Sequence, residues 1–435
     1  MSQHELQPDD FQTIAIFIIH HSPALFLGKN LINGQTDIEV GVEQFVAVRI
    51  DLELMGAVFL TVGFLLLLAN VTASATTYTL IGSGNWSVSA NWDGNGIPPN
   101  PLPSGDAVVI NGSGTAGLDV SQILNSGSSL TINASKTLHL SNYITLFIDG
   151  MLTNNGDLII IGASLQINNG ATLNNNGSVY SRGGVTNNGT LNNNGTLHSQ
   201  GGVTNNGTLH NFSALRITFY SSLWNNGTLN INSGSYLEIA LYAILNNSGI
   251  INNNNGRYLS NNNSAVFHNY ATLTNDGTLD NTTSSTLTNH SGGTLANNGT
   301  LKGTGTIVQN CAFTNSATAI IAPGGSPGTL TVTGNFDLSG GTYQCEINGT
   351  VQGSAYDLLA ISGTATIGAA SKLNLVFGYN AISGTTYDIL TGGPVSGTFT
   401  DPANISFSGG NVTGIGVSYP DAKMLRVNAL SLLSI

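Results

Sequence analysis

Charge is the scarcest thing in this chain. Only 7% of its 435 residues are Asp, Glu, Lys or Arg, against about 25% in ordinary soluble domains. With 10 Lys and Arg in all, no basic stripe can neutralise a row of phosphates, so nucleic acid is excluded as a partner. The formal net charge is −12. Lys29 and Arg49 stand against eight acids over residues 1–75, leaving −6 there and −6 for the remainder. The negative charge is spread thinly, with no acidic tail, so solubility must come from Asn, Thr, Ser and the main chain.

Cysteine is almost absent. Cys311 and Cys345 are the two, with no Cys-x-x-Cys and no adjacent His cluster, which argues against zinc. One disulfide between them, in an exported protein, and two unpaired buried thiols are both open. Helical periodicity is missing as well: no apolar stripe at 3.6-residue spacing runs through the middle of the chain, and Asn, Gly and Thr are poor helix formers. There is no Ser-His-Asp signature, phosphate-binding loop, dinucleotide fingerprint or Ca²⁺-binding Gly-Asp nonapeptide. No cofactor is expected.

The longest apolar run lies in "MGAVFLTVGFLLLLANVTASA" (Met55–Ala75). Its core is too short for a transmembrane helix of about 20 residues. It suits the apolar region of a signal peptide, with Ala73-Ser74-Ala75 as the cleavage site and Thr76 as the mature start. No basic residue lies between Met55 and the run, the nearest being Arg49; an uncleaved membrane anchor is the alternative, and this segment is the chain's only expected link to a membrane. Residues 1–54 lack the Asn-Gly-Thr bias of the rest of the chain, and translation is expected to begin at Met55.

What is abundant is a phrase. "GGVTNNGTL" occurs at Gly183–Leu191 and again, letter for letter, at Gly201–Leu209. From about Met151 to Leu301, Asn-Asn-Gly or a close relative returns at Gly156, Gly177, Gly195, Gly207, Gly227, Gly249, Gly256, Gly277 and Gly299, with extra copies at Gly170 and Gly189. A fixed period of about 20 residues is the mark of a repeat architecture. Single apolar residues such as Val185, Leu191, Val203 and Leu209 sit in β-like tripeptides, and Asn-Gly supplies positive φ for turns between short strands. Three short strands and their turns make one coil of a parallel β-helix, with Val185 expected over Val203 and Leu191 over Leu209. Equivalent Asn side chains in successive coils would stand about 4.8 Å apart and hydrogen-bond in a column. The Asn-x-Ser/Thr triplets, such as Asn188-Gly-Thr190, are by-products of the phrase.

The flanks differ from the repeat. "GSGNWSVSANWDGNGIPPNPLPSGDAVVI" (Gly82–Ile110) carries Trp86 and Trp92, which cap the first coil or present a sugar-binding face. It resembles the opening motif of many secreted bacterial β-solenoid surface proteins. "IIAPGGSPGTLTVTGNFDLSGGTYQCEINGT" (Ile320–Thr350), "SAYDLLAISGTATIGAASKLNLVFG" (Ser354–Gly378) and "GTTYDILTGGPVSGTFTDP" (Gly384–Pro402) resemble, in order, three phrases near the end of autotransporter-type passenger domains. The resemblance implies a secreted or surface right-handed β-helix, often adhesive and usually without catalysis; it also gives Asp357 and Asp388, which follow Tyr in these phrases, a structural role. Too few residues follow the last phrase for the outer-membrane barrel that autotransporters carry.

The expected fold is therefore an all-β, right-handed parallel β-helix (solenoid) with an N-terminal cap and a C-terminal β capping module. The boundaries are a leader at 1–54, a signal peptide at 55–75, the cap and first coils at 76–140, the repeat at 141–310 and a passenger-like module at 311–435. The expected function is a non-enzymatic secreted or cell-surface structural or adhesive protein whose partners are glycans, surfaces or copies of itself. The alternative, a polysaccharide-active enzyme on the same scaffold, needs clustered acids. Between 151 and 301 the acids are Asp157, Glu238, Asp276 and Asp280. Asp276 is expected in a turn in place of Asn, and Asp280 solvated. His268 and His290, about one coil apart, could stack but lack a third metal ligand. A third reading, ice binding, needs Thr in register on one face over many coils. N-terminal sequencing of the secreted form is expected to begin at Thr76; residues from before Met55 in mature material would overturn the proposed start.

Overall fold

Four residues make a strand here. In Thr190-Leu191-Asn192-Asn193 the first and third side chains face outward and the second and fourth are buried, the period-two alternation of a pleated strand. The same pattern is stamped on most strands from Ala107–Ile110 onward. The computed structural model describes residues 74–431 apart from 233, 283, 400 and 401, together with three short strands ahead of them. Those three, Ile14–Phe17, Phe26–Lys29 and Val40–Gly41, form a small sheet of their own. The rest of the leader and the signal segment up to residue 73 lie outside the described residues.

From Ala75 the chain is one unit, a parallel β-solenoid of about 11 turns. Three sheets run along it. Sheet I contains Ser178–Ser181, sheet II Gly184–Asn187 and sheet III Thr190–Asn193; they hold 15, 15 and 12 strands. Successive coils stack in register: Val185 lies over Val203 and Leu191 over Leu209, as the repeated phrase predicts. The segment after 310 is no separate body. Ile320–Pro323 and Thr342–Ile347 continue sheet I, and Thr329–Thr333 continues sheet II. The strands then lengthen, and the antiparallel pair Val412–Ser418 and Met424–Ser431 ends sheet II.

The core is one continuous apolar column from Leu80 to Ala429. At its N-terminal end both inward positions are aliphatic, as in Leu130 and Ile132. In the middle the second inward position becomes Asn. In sheet II, Asn187, Asn205, Asn225, Asn247, Asn269 and Asn289 form an unbroken column, joined by Nδ2–Oδ1 bonds of 2.7–2.8 Å. Sheet III has two such columns, Asn154–Asn211 and Asn253–Asn315, separated by Ile231. The inner Asn side chains of both sheets up to Asn297 are fully buried.

In sequence the whole of Asn-Asn-Gly reads as the turn between two short strands, and the structure divides it. The first Asn of Asn-Asn-Gly is not in the turn: it is the last strand residue and points inward. The turn is the second Asn and the Gly. Two-residue turns leave the corner open, and the inner Asn closes it: Asn187 Nδ2 also donates to the carbonyl of Thr208 at 2.9 Å. The outer Asn makes a second, exposed ladder, as in Asn206 Nδ2 to Asn188 Oδ1 at 2.7 Å.

The turn glycines are also present for a different reason than expected. Gly177, Gly195, Gly207 and Gly227 do not have positive φ. A Cβ on Gly207 would stand 2.1 Å from the carbonyl oxygen of Gly189 one coil below, and one on Gly227 2.0 Å from that of Gly207. The coils approach too closely at their corners for any side chain. Gly170 and Gly256 are the other kind, with φ of 82° and 72° and nothing nearby.

Gly207→Ala must therefore push two coils apart, and its loss of stability is expected to exceed the roughly 1 kcal/mol of strain at Gly256→Ala. Asn205→Ala leaves the Asn187 donor and the Asn225 acceptor buried without partners, for about 2–5 kcal/mol in all. Urea unfolding monitored by circular dichroism checks both; equal costs at Gly207 and Gly256 would contradict the close-approach account.

Candidate functional site: the sheet I charges, the aromatic corner and the glycine floor

The outward third position of sheet I gathers four of the nine charged residues between 141 and 310. His198, Arg216, Glu238, Ser260, Asp280 and Lys302 follow one another coil by coil. Arg216 Nε meets Glu238 Oε2 at 3.2 Å and Lys302 Nζ meets Asp280 Oδ2 at 3.5 Å. Each cation also lies over a tyrosine, Arg216 over Tyr236 and Lys302 over Tyr258. Asp280 is not solvated, as expected from the sequence, but buried, because it further accepts the Tyr258 hydroxyl. Burial and then that bond push the Tyr258 phenol well up. Burial, then Arg216, holds the His198 imidazole below its usual range. Glu238 and Asp280 are two coils apart, about 10 Å at the strand spacing, and a cation from a neighbouring coil closes each.

The other candidate residues are engaged in the fabric of the coils. Asp276 does replace Asn in the turn and accepts from Asn298 at 2.7 Å. Trp86 and Trp92 pack edge to face at 4.8 Å, with Trp92 Nε1 donating to the Trp86 carbonyl at 2.7 Å. Both rings are buried, so neither offers a flat face to a sugar. Cys311 and Cys345 are both free thiols. Cys345 is buried in sheet I, whereas Cys311 is partly exposed and its Sγ donates to the Gly293 carbonyl at 2.7 Å. His268 Nδ1 and His290 Nε2 meet at 3.0 Å, and Tyr270 stacks on His290 at 4.1 Å. Burial, then His290, lowers the His268 imidazole. Among the described residues, no group of three or more His, Cys, Asp and Glu could hold a metal ion.

The corner between sheets I and II is built differently, and Tyr143, with φ of 60° and almost fully exposed, already stands there in an earlier coil. It carries Phe219-Tyr220 in one coil and Leu241-Tyr242 in the next, all four with φ of 58–64°. Bulky residues adopt that conformation only under steric strain, where Asn or Gly would adopt it freely. The rings are displayed rather than packed inside: Tyr220 is 75% exposed and stacks on Tyr242 at 5.0 Å.

Beside this corner is an open groove of about 370 Å³. Its floor is the repeated phrase. Gly184 and Gly202 occupy the first outward position of sheet II in two successive coils, and Thr186 and Thr204 the third. On the next coil that column rises into Trp224, which is 49% exposed. Tyr220 forms the other wall, and Gln200 lies at the rim, hydrogen-bonded to Tyr180 and Arg182. No lining residue is charged.

Comparison with known proteins adds no assignment. No family model matches the chain, and no curated protein matches its sequence. The groove is hidden in the sequence because its floor reads as repeat. The available signal is "FYSSLW" (Phe219–Trp224), three aromatics interrupting a stretch otherwise built from Asn, Gly, Thr and Leu.

Near the C-terminal end, Asp388 pairs with Arg426 through two bonds of 2.5 and 2.9 Å. Asp357 accepts main-chain N–H bonds from Gly328 and Glu346, both at 2.8 Å, tying the Pro323–Gly328 loop to sheet I. Burial pushes its carboxyl from 3.8 up to about 6. The folded chain thus holds an extra proton between those values, and the stability this group contributes falls as pH rises through that window. The thermal midpoint of Asp357→Asn, taken relative to the wild type, is expected to rise between pH 4 and pH 7. A difference that stays constant across that range would contradict the raised carboxyl.

Proposed function

We propose that the chain is a non-enzymatic structural and adhesive β-solenoid, exported and displayed outside the cell. One observation carries this reading: the acids of the sheet I column are closed by cations of neighbouring coils, whereas the aromatic corner is left open to solvent despite its backbone strain. A polysaccharide-cleaving site needs two carboxyls free to exchange protons across a sugar bond, and Glu238 and Asp280 are each held in an ion pair. The passenger-like phrases and the Met55–Ala75 segment support export. The resemblance to autotransporter-type passengers also supports an adhesive role.

The ice-binding reading has its own support. On sheet III, Thr172, Thr190, Thr208 and Thr228 stand in register, followed after Ile250 by Thr272 and Thr294. The companion column beside the first four is mainly Asn with one His, so the paired Thr array is incomplete.

The purified chain, coated on beads, is expected to bind cell surfaces or polysaccharide matrices without releasing reducing sugar from them, and to show no thermal hysteresis. Release of oligosaccharides from a polysaccharide panel would replace this reading with the enzymatic one, and hysteresis would replace it with ice binding.

A further inference from the structure

The geometry points to the groove between the two copies of the repeated phrase as a binding site for a neutral hexopyranose segment of a glycan. The inference rests on the adhesive reading and names its ligand.

The first argument is Gly184. Its φ is not positive, and a Cβ there would meet only Ser164 Oγ, at 3.9 Å. Neither left-handed backbone nor close approach of the next coil accounts for it. Glycine within a strand weakens it, and what its absence of a side chain provides is the empty floor. The second argument is the walls. Trp224 rises from the Thr186–Thr204 column, and Tyr220 is held over the opposite edge by two successive residues of left-handed backbone. Exposed, pre-positioned aromatic rings suit the C–H face of a pyranose, and their rigidity lowers the entropy lost on binding. The third is chemistry. The Thr186 and Thr204 hydroxyls, the Gln200 amide and the main chain bared at Gly202 give donors and acceptors without charge. A uronate or sulfated sugar would find no counter-charge among the lining residues. The floor spans two coils, about 10 Å, which is room for one ring and part of the next.

Binding of cellohexaose, mannohexaose and maltohexaose to the full chain by calorimetry, with polygalacturonate as the charged control, tests this. At least one neutral hexasaccharide is expected to bind, with affinity little changed by salt, because no ion pair forms. Trp224→Ala and Tyr220→Ala are each expected to weaken it about tenfold, a change of about 1.4 kcal/mol. Gly184→Leu fills the floor without a backbone clash and is expected to abolish binding while leaving the melting temperature and circular dichroism unchanged. Absence of binding to all three neutral sugars, or binding that survives both Gly184→Leu and Trp224→Ala, would overturn the inference. Bead adhesion separates the two levels: adhesion that persists in Gly184→Leu overturns the groove and leaves the adhesive reading standing, whereas a wild type that adheres to nothing removes both.

Discussion

The middle of the solenoid depends on a side-chain amide that donates twice. Wherever the next coil also holds an inner Asn, the amide sends one N–H to that Asn oxygen and the other to a main-chain carbonyl beyond the turn, as Asn193 does to Asn211 and to Ala214. No other side chain performs both tasks at that length. Asp has no donor at neutral pH, Ser has one, and Gln carries its amide a methylene too far. Asn is therefore fixed at the corner by geometry, and the coil is fixed at two-residue turns by Asn. The scarcity of charge follows, because ionised groups stacked at a strand spacing of about 4.8 Å repel. The charges that do stack, on sheet I, alternate in sign or are spaced by Ser260.

The ladders have direction. Inner amides donate toward the C-terminal coil, as Asn154 does to Asn175, and outer amides toward the N-terminal coil, as Asn176 does to Asn155. The inner direction is imposed by the second N–H, which must reach a carbonyl. Two consequences appear in the structure. The first oxygen of an inner column that follows an Ile has no Asn donor below it: Asn187, Asn253 and, in a short sheet I column with Asn281, Asn261 each keep an unbonded Oδ1, whereas Asn154 accepts from the Gly156 N–H at 3.2 Å. In an outer column an acceptor-only side chain still serves the coil above, which is how Asp276 stands in for Asn and accepts from Asn298.

Sequence spacing alone carries the coil. The period of about 20 residues, the isolated Leu and Val, and the two identical phrases place Val185 over Val203 by register alone. The amide column follows from strand spacing. Which Asn points inward does not follow, because Asn-Asn-Gly can be split either way across a strand end. The reason for the glycines is equally hidden, since positive φ and close approach select the same residue. The charge pairs of sheet I are invisible for another reason: Asp280 and Lys302 lie a full coil apart in sequence, Arg216 and Glu238 likewise, and only a known register turns those separations into contacts. Trp86 and Trp92 read first as filling of the cap and second as a sugar platform, and both rings are buried.

The same repetition that hides the groove also marks it. Of the chain's 55 glycines, most of those in the repeat stand at corners where the next coil leaves no room, or in turns with left-handed backbone. Gly184 stands in neither. A chain this rich in Asn and Gly has suitable residues for any left-handed turn, yet it places Phe219, Tyr220, Leu241 and Tyr242 there. Two departures from local preference, one removing a side chain and one forcing large ones outward, fall within a few successive coils, with Tyr220 two coils above Gly184. Repeat architecture makes such departures informative, because every neighbouring coil shows what the unmodified position looks like. Ser164 and Ser222 take the place of Gly184 one coil below and two coils above, and Gln166 and Trp224 flank the two threonines in the same way. The groove is thus a local deletion of side chains within an otherwise continuous face, bounded along the axis by the coils that keep theirs.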